Sequence, residues 1–357
     1  MDGEQLDKTL KAPSEQPDRT FADQHTRTLN ERFDTVAEHL GSDKPPAVRV
    51  AGVYAMAGLA DDWPEHRQMC VEVLCAYLRM PYEPEPGGDA PVEKRLAFQA
   101  GREVRHTVIR VIAAHLNGTA PLSWCGLNFD FAGAVFDGGD FSGAKFSSGT
   151  VNFAGAEFSG GTVGFGGAAF SSGTVSFAGA EFAAGEVDFG GAEFSGGTVK
   201  FAGAKFSGAR VNFFLAKFSG ALVDFAGAEI SGGTVGFDYT KFSGGTVNFT
   251  SAKFSGAAVH FFGSTFTGER PQLTGADSSG DSVFFHATKF SGGTVSFSRA
   301  GFATEMVDFT GAAFSDGTVD FSRVASWTQP PDFGSGFDMS HLPAGVILPA
   351  DTSPFTR

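Results

Sequence analysis

The first third of the chain carries apolar residues at helical spacing. In one stretch they fall at i, i+4, i+7 and i+11, at Leu29, Phe33, Val36 and Leu40. A later stretch, residues 92–116, repeats the pattern and ends before Asn117 and Gly118, which suit a helix stop. The pattern predicts four or five amphipathic helices in a helical domain over residues 21–120, after a disordered lead-in over residues 1–20.

From about residue 124 onward the apolar period changes. Four phenylalanines first recur at intervals of five residues, at Phe131, Phe136, Phe141 and Phe146. The intervals then alternate between seven and five. The resulting twelve-residue unit, V-x-F-x-G-A-x-F-S-G-G-T, keeps its phase from Val151 to Phe321 without an insertion or deletion. Such an array predicts a solenoid, in which each repeat buries its apolar side against its neighbours.

The unit also predicts the shape of one coil. Side chains two residues apart in an extended segment face the same way, so V-x-F and A-x-F each give an inward pair and one outward residue. The dipeptide AG fits a tight corner, and the tetrapeptide SGGT fits a wider one. Two corners of each kind make a coil of 24 residues. Such coils stack about 4.8 Å apart, with phenylalanine above phenylalanine.

This array resembles the pentapeptide-repeat family. Residues 129–148 match its five-residue repeat, with a central Phe and a small residue two positions earlier, and residues 149–326 match when every second corner is lengthened. The resemblance implies a mostly β fold, a right-handed quadrilateral β-helix (solenoid) with an N-terminal α-helical domain as cap. The β-helix is expected over residues 125–326, with one 20-residue coil followed by 24-residue coils. The helical region is similar to the one that precedes the repeats in many actinobacterial members, without their membrane helices.

A solenoid needs both ends covered. We expect the helical domain to close the first coil. We expect a C-terminal capping segment, residues 327–357, to lay four apolar residues over the last coil, at Trp327, Phe333, Phe337 and Ile347.

Composition points to packing rather than to chemistry. The chain has 40 Phe and 49 Gly but only 4 Tyr, which indicates aromatic rings used as core. Its cysteines, Cys70, Cys75 and Cys125, cannot all pair with one another, and we interpret them as buried free thiols. The N-terminus lacks the pattern of a secretory signal, and no apolar run is long enough to span a membrane. We therefore expect a cytoplasmic protein with no membrane span.

No catalytic motif or metal-ligand spacing emerges from the sequence. The outward acids Asp188 and Asp224 are interpreted as solvated side chains rather than cation ligands. The sequence thus predicts no enzyme: no catalytic residue, no cofactor-binding residue and no metal site, and no cofactor.

Two functions remain open. The first is a rigid scaffold that binds another protein, whose identity the sequence does not give, or that forms a homodimer. The second is a DNA mimic, because the resemblance implies that some family members present an acidic rod to a type II topoisomerase such as gyrase and confer drug resistance. Residues 127–326 hold 18 acidic and 11 basic residues, a net charge of −7. About 40 Å of duplex DNA carries roughly two dozen charges. This comparison favours the scaffold, and the acidic balance disfavours direct nucleic-acid binding.

One column of corners predicts an exposed surface. Most short corners hold two small residues, but four successive corners, 24 residues apart, hold bulky ones, and two outward residues lead into them. The resulting candidate ridge consists of Phe214, Leu215, Tyr239, His260, Phe262, Phe284 and His286. Because Phe213 and its equivalents already fill the core register, these side chains are expected to project outward over about 15 Å. The ridge suits a protein partner or self-association. The alternative is that these corner residues have drifted without a function.

Overall fold

The computed structural model describes most of the chain from residue 16 onward. The described residues are 16–41, 43–254, 258–267, 277–278, 283–290, 294–297, 301–302, 307–314, 318–324, 326–327, 331–334 and 344–349. The chain divides into two compact units, Met1–Val71 and Glu72–Arg357. All of the β-strands that the structure describes belong to the second unit.

The first unit consists of helices that pack through an apolar face. The bounds of its elements are Gln16–His39 for α1, Pro46–Asp62 for α2, Pro64–His66 for a single 3-10 turn and Arg67–Arg79 for α3, which crosses into the second unit. On α1, Leu29 and Val36 of the predicted stripe are buried and Phe33 is half-buried. The helix begins at Gln16, inside the segment predicted as a disordered lead-in. The rest of that lead-in, residues 1–15, lies outside the described residues.

The second unit continues with α4, Val92–Asn117. Val108, Ile112 and Leu116, which recur at helical spacing on one face of α4, are buried. Gly118 ends the helix in the left-handed conformation, with φ of 82°, which glycine adopts without a steric cost. α4 lies against the first coil of the β structure, and Ile109 fills the space above Gly139, where a β-carbon would come within 2.8 Å of the Ile109 Cδ1 atom.

The remainder of the second unit is a parallel β-solenoid with four faces. Face 1 contains Phe129–Asp130, Thr150–Asn152, Thr174–Ser176, Thr198–Lys200, Thr294–Ser296, Thr318–Asp320 and Val346–Ile347. Face 2 contains Val135–Phe136, Glu157–Phe158, Glu181–Phe182, Lys205–Phe206, Glu229–Ile230, Lys253–Phe254, Asp277–Ser278, Gly301–Phe302 and Ser326–Trp327. Face 3 contains Gly139–Asp140, Thr162–Gly164, Glu186–Asp188, Arg210–Asn212, Thr234–Gly236, Ala258–His260, Val283–Phe284 and Val307–Asp308. Face 4 contains Lys145–Phe146, Ala169–Phe170, Glu193–Phe194, Thr265–Phe266, Lys289–Phe290 and Ala313–Phe314. Two longer strands, Lys217–Asp224 and Lys241–Asn248, run from face 4 through the corner into face 1. The architecture confirms the predicted β-helix with an N-terminal helical region.

Strand pairing gives the length of each coil. Glu193 and Lys217, at equivalent positions in neighbouring coils, are 24 residues apart, as predicted. Asp130 and Asn152, which share a side-chain hydrogen bond of 2.9 Å, are 22 residues apart. The first coil therefore has 22 residues rather than the predicted 20, because its last corner, residues 147–150, is already of the long type.

Stacked phenylalanine rings fill the interior. Within a face, the ring in one coil lies over the ring in the next: Phe153 and Phe177 have centroids 4.8 Å apart and planes only 2° from parallel. Rings from different faces meet edge to face, as Phe177 and Phe189 do at 6.0 Å and 88°. Both arrangements are favoured by aromatic pairs. All three rings are fully buried, so the interior of these coils is a packed core.

Arginines from the helical region satisfy carbonyl groups at the start of the solenoid. The first coil has no earlier coil to pair with, and unpaired strand edges are an aggregation hazard. The guanidinium of Arg79 donates a hydrogen bond to the Asp130 carbonyl at 2.6 Å. The guanidinium of Arg102 donates one to the Asp137 carbonyl at 2.9 Å. Arg105, which is buried, donates to the Val135 carbonyl at 2.6 Å. The side chains thus take the place of a preceding strand.

A polar cluster around Asp137 reinforces this contact. Its carboxylate accepts a hydrogen bond of 2.7 Å from the Tyr82 hydroxyl, lies 3.0 Å from His106 Nε2 and forms an ion pair with Arg102 at 3.0 Å. Burial by itself raises the pKa of Asp137, but hydrogen bonds with His106 and Tyr82 outweigh it and hold that pKa below its usual value. The cluster therefore holds an ionised carboxylate between the helices and the first coil.

At the other end, the described C-terminal strands continue the solenoid. The strand Ser326–Trp327 pairs with Gly301–Phe302, and the Phe333 ring stacks on Phe309 at 5.1 Å. The prediction for Ile347 is wrong: Val346 is buried, whereas Ile347 is 46% exposed. Adjacent residues of a strand face opposite ways, so only one of this pair reaches the core. Phe337 lies outside the described residues.

The cysteines agree with the prediction at two of three positions. Cys70 and Cys75 are buried free thiols, and burial raises their pKa to about 11 and about 12, respectively. A thiol with so high a pKa carries little of the reactive thiolate at neutral pH. Cys125 differs, because it is only half-buried.

Candidate interaction surface

The structure places three predicted ridge residues side by side at the corners between faces 3 and 4. Phe214 and Tyr239 have ring centroids 5.7 Å apart, and Tyr239 and Phe262 have centroids 5.3 Å apart, both edge to face. The three side chains are 42%, 46% and 42% exposed, in the same order, and the neighbouring Leu215 is 51% exposed. We call Phe214, Tyr239 and Phe262 the ring column. It forms an apolar stripe that faces solvent across three coils.

The backbone beneath the ring column adopts a conformation that bulky residues rarely take. Leu215 and Tyr239 have φ of 58° and 54°, in the left-handed region where most short corners of the solenoid have glycine. Strain of this kind costs on the order of 1–3 kcal/mol per residue and clusters at functional sites. Gly263, with φ of 64°, leaves room for a neighbour, because a β-carbon there would lie 2.8 Å from the Tyr239 ring. Two of the three corners, those with Leu215 and Tyr239, therefore present large side chains at a conformational cost.

The other predicted ridge residues form a separate group. His260 and Phe284 stack with centroids 5.0 Å apart, and Phe284 lies 5.8 Å from His286. His286 Nε2 is 2.6 Å from an Asp308 carboxylate oxygen. All three side chains of the group are half-buried, and no ring contact joins them to the ring column within the described residues. The candidate ridge is thus divided into an exposed column and a less exposed histidine–phenylalanine group. His260 and Phe284 lie on the flat of face 3, and the corner residue His286 bonds to Asp308.

A ladder of buried hydroxyls ties these corners together. Thr240, Ser264 and Thr288 take the small inward position that alanine holds in most other repeats. Their hydroxyls donate to carbonyls of the preceding coil, those of Phe213, Phe237 and Phe261, at 2.7, 2.5 and 2.6 Å. Sequence reasoning missed this ladder. The sequence does contain a signal for it, because three residues that replace the usual alanine lie 24 residues apart, each directly after a bulky corner.

Replacing Thr240 by valine should test this ladder. The change keeps the shape of the side chain and removes one buried hydrogen bond, while the Phe213 carbonyl keeps its bond from the Ala216 N–H. We expect the free energy of unfolding to fall by about 1 kcal/mol. Thr246→Val, at a half-buried outward position in the same coil, should change it by less than about 0.5 kcal/mol. Chemical denaturation of both variants provides the measurement, and equal losses would contradict the assigned role.

A column of lysines lies beside the ring column on face 4. Lys217, Lys241 and Lys289 occupy outward positions two residues after their corners, and Thr265 fills the remaining position between them. Lys217 pairs with Glu193 at 2.8 Å. Within the part of the chain that the structure describes, Lys241 and Lys289 have no ion pair. In a chain with a formal charge of −14, this column is a local concentration of positive charge.

The outward acids Asp188 and Asp224 have a structural role. Asp188 Oδ1 accepts hydrogen bonds from the Gly190 N–H at 2.9 Å and the Asn212 side chain at 3.1 Å. Asp224 makes the equivalent pair of bonds, to Ala226 at 3.0 Å and Asn248 at 2.8 Å. Each carboxylate closes its own corner and links to the next coil. Among the described residues, no group of three or more His, Cys, Asp or Glu side chains could hold a metal ion.

An open groove of about 640 Å³ runs between α4 and face 3. Its helix side includes His106 and Arg110, and its solenoid side includes Asp140, Gly164 and Asp188. The acids are already engaged in corner hydrogen bonds, Asp140 with the Ser142 N–H at 2.8 Å. Both acids are thus used by the solenoid's own corners, and the ring column remains the more distinctive surface.

Comparison with known proteins gives no further guide: no family model, no curated protein and no solved structure matches the chain. The likeness to pentapeptide repeats rests on the phenylalanine ladder and the parallel four-faced solenoid. None of the helices that the structure describes is both long and apolar enough to cross a membrane.

Proposed function

We propose that this chain is a pentapeptide-repeat protein that acts, without catalysis, as a rigid cytoplasmic scaffold and binds another protein through the ring column. The observation that carries the proposal is the exposure of Phe214, Tyr239 and Phe262 in one contiguous stripe. Exposed apolar patches on soluble proteins commonly mark interaction sites, and aromatic residues are enriched at interface centres.

The rest of the solenoid supports a scaffold. Its core is packed with rings from one coil to the next, and the coils beneath the ring column are joined by the hydroxyls of Thr240 and Ser264. A surface mounted on such a framework loses little conformational freedom on binding. A repeat β-solenoid fits this role.

Affinity capture from the native host tests the proposal. The bait proteins are the unchanged chain, the double variant Phe214→Ser with Phe262→Ser, and the control Leu96→Ser, which removes an exposed apolar side chain on α4. We expect a partner that the unchanged chain and the control retain and the double variant loses. Recovery of the same proteins by all three baits would contradict binding through the ring column.

The alternative, a DNA mimic, leads to a different expectation. Outward lysines interrupt the acidic positions: Lys205 lies between Glu181 and Glu229 on face 2, and Lys217 pairs with Glu193 on face 4. A surface that carries both positive and negative side chains does not reproduce the uniformly negative charge of a phosphate backbone. We expect the purified protein at micromolar concentration to leave supercoiling by gyrase unchanged. Inhibition, or protection of gyrase from a fluoroquinolone, would favour the mimic.

A further inference from the structure

The ring column and the lysine column run parallel over the same coils. Each coil adds one corner residue and, two positions later, one outward residue of face 4. Leu215 is thus followed by Lys217, and Tyr239 by Lys241, and strand pairing aligns Lys217 with Lys241. The surface is therefore amphipathic, with an apolar stripe on one side and positive charge on the other. A complementary partner needs an apolar stripe beside a row of acidic groups.

The spacing of the rings selects the secondary structure of that partner. Successive ring centroids are 5.7 and 5.3 Å apart. A helix that lies along the column advances about 5.4 Å per turn, so residues one turn apart meet successive rings. A strand advances about 6.6–6.8 Å between side chains of one face, so two such steps overshoot the third ring by at least about 2 Å. The ring column matches helical turns better than it matches a strand.

We propose that the ring column and the lysine column together bind an acidic amphipathic helix of a partner protein. The apolar stripe of the helix lies on Phe214, Tyr239 and Phe262, and its acidic stripe faces Lys217, Lys241 and Lys289. This inference rests on the proposed function and specifies the chemistry of the partner. The two lysines without an ion pair in the described structure, Lys241 and Lys289, supply the charges that the partner neutralises.

Designed peptides test this pairing without knowledge of the natural partner. The probe is a fluorescein-labelled helical peptide with leucines along one stripe and glutamates along the adjacent stripe. Three matched peptides serve as controls: one with lysines in place of the glutamates, one with the acidic sequence scrambled, and one with the acidic residues and leucines in strict alternation. Fluorescence anisotropy with the full chain should show the acidic helix binding at least about tenfold more tightly than each control.

Variants of the protein locate the binding site. Phe214→Ala with Phe262→Ala, and separately Lys241→Glu with Lys289→Glu, should each weaken binding of the acidic helix by about tenfold or more. Lys205→Glu with Lys253→Glu, on face 2, changes the net charge equally and should leave the affinity within about twofold. Raising the salt concentration from about 0.05 M to about 0.5 M should weaken binding, since charge attraction is screened. Thermal melts of all variants serve to check that each one folds.

Three outcomes would overturn the proposal. The first is equal affinity for the basic or the scrambled peptide, and the second is tighter binding of the alternating peptide, which would indicate a strand. The third is a dimer in sedimentation velocity that Phe214→Ala with Phe262→Ala dissociates, since the occupant would then be a second copy of this chain. If the acidic helix fails to bind while affinity capture still yields a partner that depends on the ring column, the scaffold proposal stands and only the helical partner is rejected.

Discussion

A chain that begins at Leu127 should aggregate instead of forming a soluble monomer. Truncation at this point removes α4 together with Arg79, Arg102 and Arg105, whose side chains bond carbonyls of the first coil. The first coil then exposes an unpaired strand edge and the apolar surface that α4 covers, both of which promote association. Size-exclusion chromatography with light scattering provides the measurement. A monomeric, soluble product with the β-rich circular dichroism of the full chain would contradict the assigned cap.

A single substitution in the full chain should reproduce part of this loss. Arg105 is only 5% exposed and bonds two carbonyls, those of Leu78 at 2.9 Å and Val135 at 2.6 Å. Arg105→Met retains apolar volume but leaves both carbonyls without this donor, and should lower the free energy of unfolding by about 3 kcal/mol. Arg95→Met removes an exposed arginine of the same helix, with one bond of 3.4 Å to Gly88, and should cost less than about 1 kcal/mol. Equal destabilisation by the two variants would argue against a specific cap.

The second large effect is expected from substitution of Phe213, and the adjacent Phe214 serves as its control. Phe213 is fully buried, with its ring between those of Phe189 at 4.8 Å and Phe237 at 4.7 Å. Phe213→Ala opens a cavity in the stacked core and should lower the free energy of unfolding by about 3–5 kcal/mol. Phe214, the next residue, projects outward, and Phe214→Ala should cost less than about 1 kcal/mol.

This pair separates a core role from a surface role at almost the same place in the chain. Denaturant unfolding monitored by circular dichroism gives both values under identical conditions. In a solenoid each coil contacts mainly its neighbours, so the loss at Phe213 should first appear as local opening of the adjacent coils. Hydrogen exchange in those coils reports this opening. A larger loss from Phe214→Ala than from Phe213→Ala would show that the assignment of inward and outward positions is wrong.

The sequence by itself determined which side of the solenoid each repeat residue faces. An extended segment alternates its side chains, and the array keeps its phase over many coils, so the repeat alone places Phe213 in the core and Phe214 on the surface. The 24-residue coil follows from the same arithmetic. So does the alignment of the ring column, because residues one coil apart in sequence become neighbours in space.

Tertiary structure alone decided what happens where the repeat ends or varies. Helical periodicity identifies the buried face of α4, but no local pattern states that Arg79 reaches Asp130, 51 residues away, or that Arg105 reaches Val135, 30 residues away. Likewise, the division of the candidate ridge depends on the orientation of individual side chains, such as His286 toward Asp308. A repeat specifies its interior because every coil imposes the same constraint on the next. Its ends and exceptions lack that constraint, so their contacts are set by distant residues that only folding brings together.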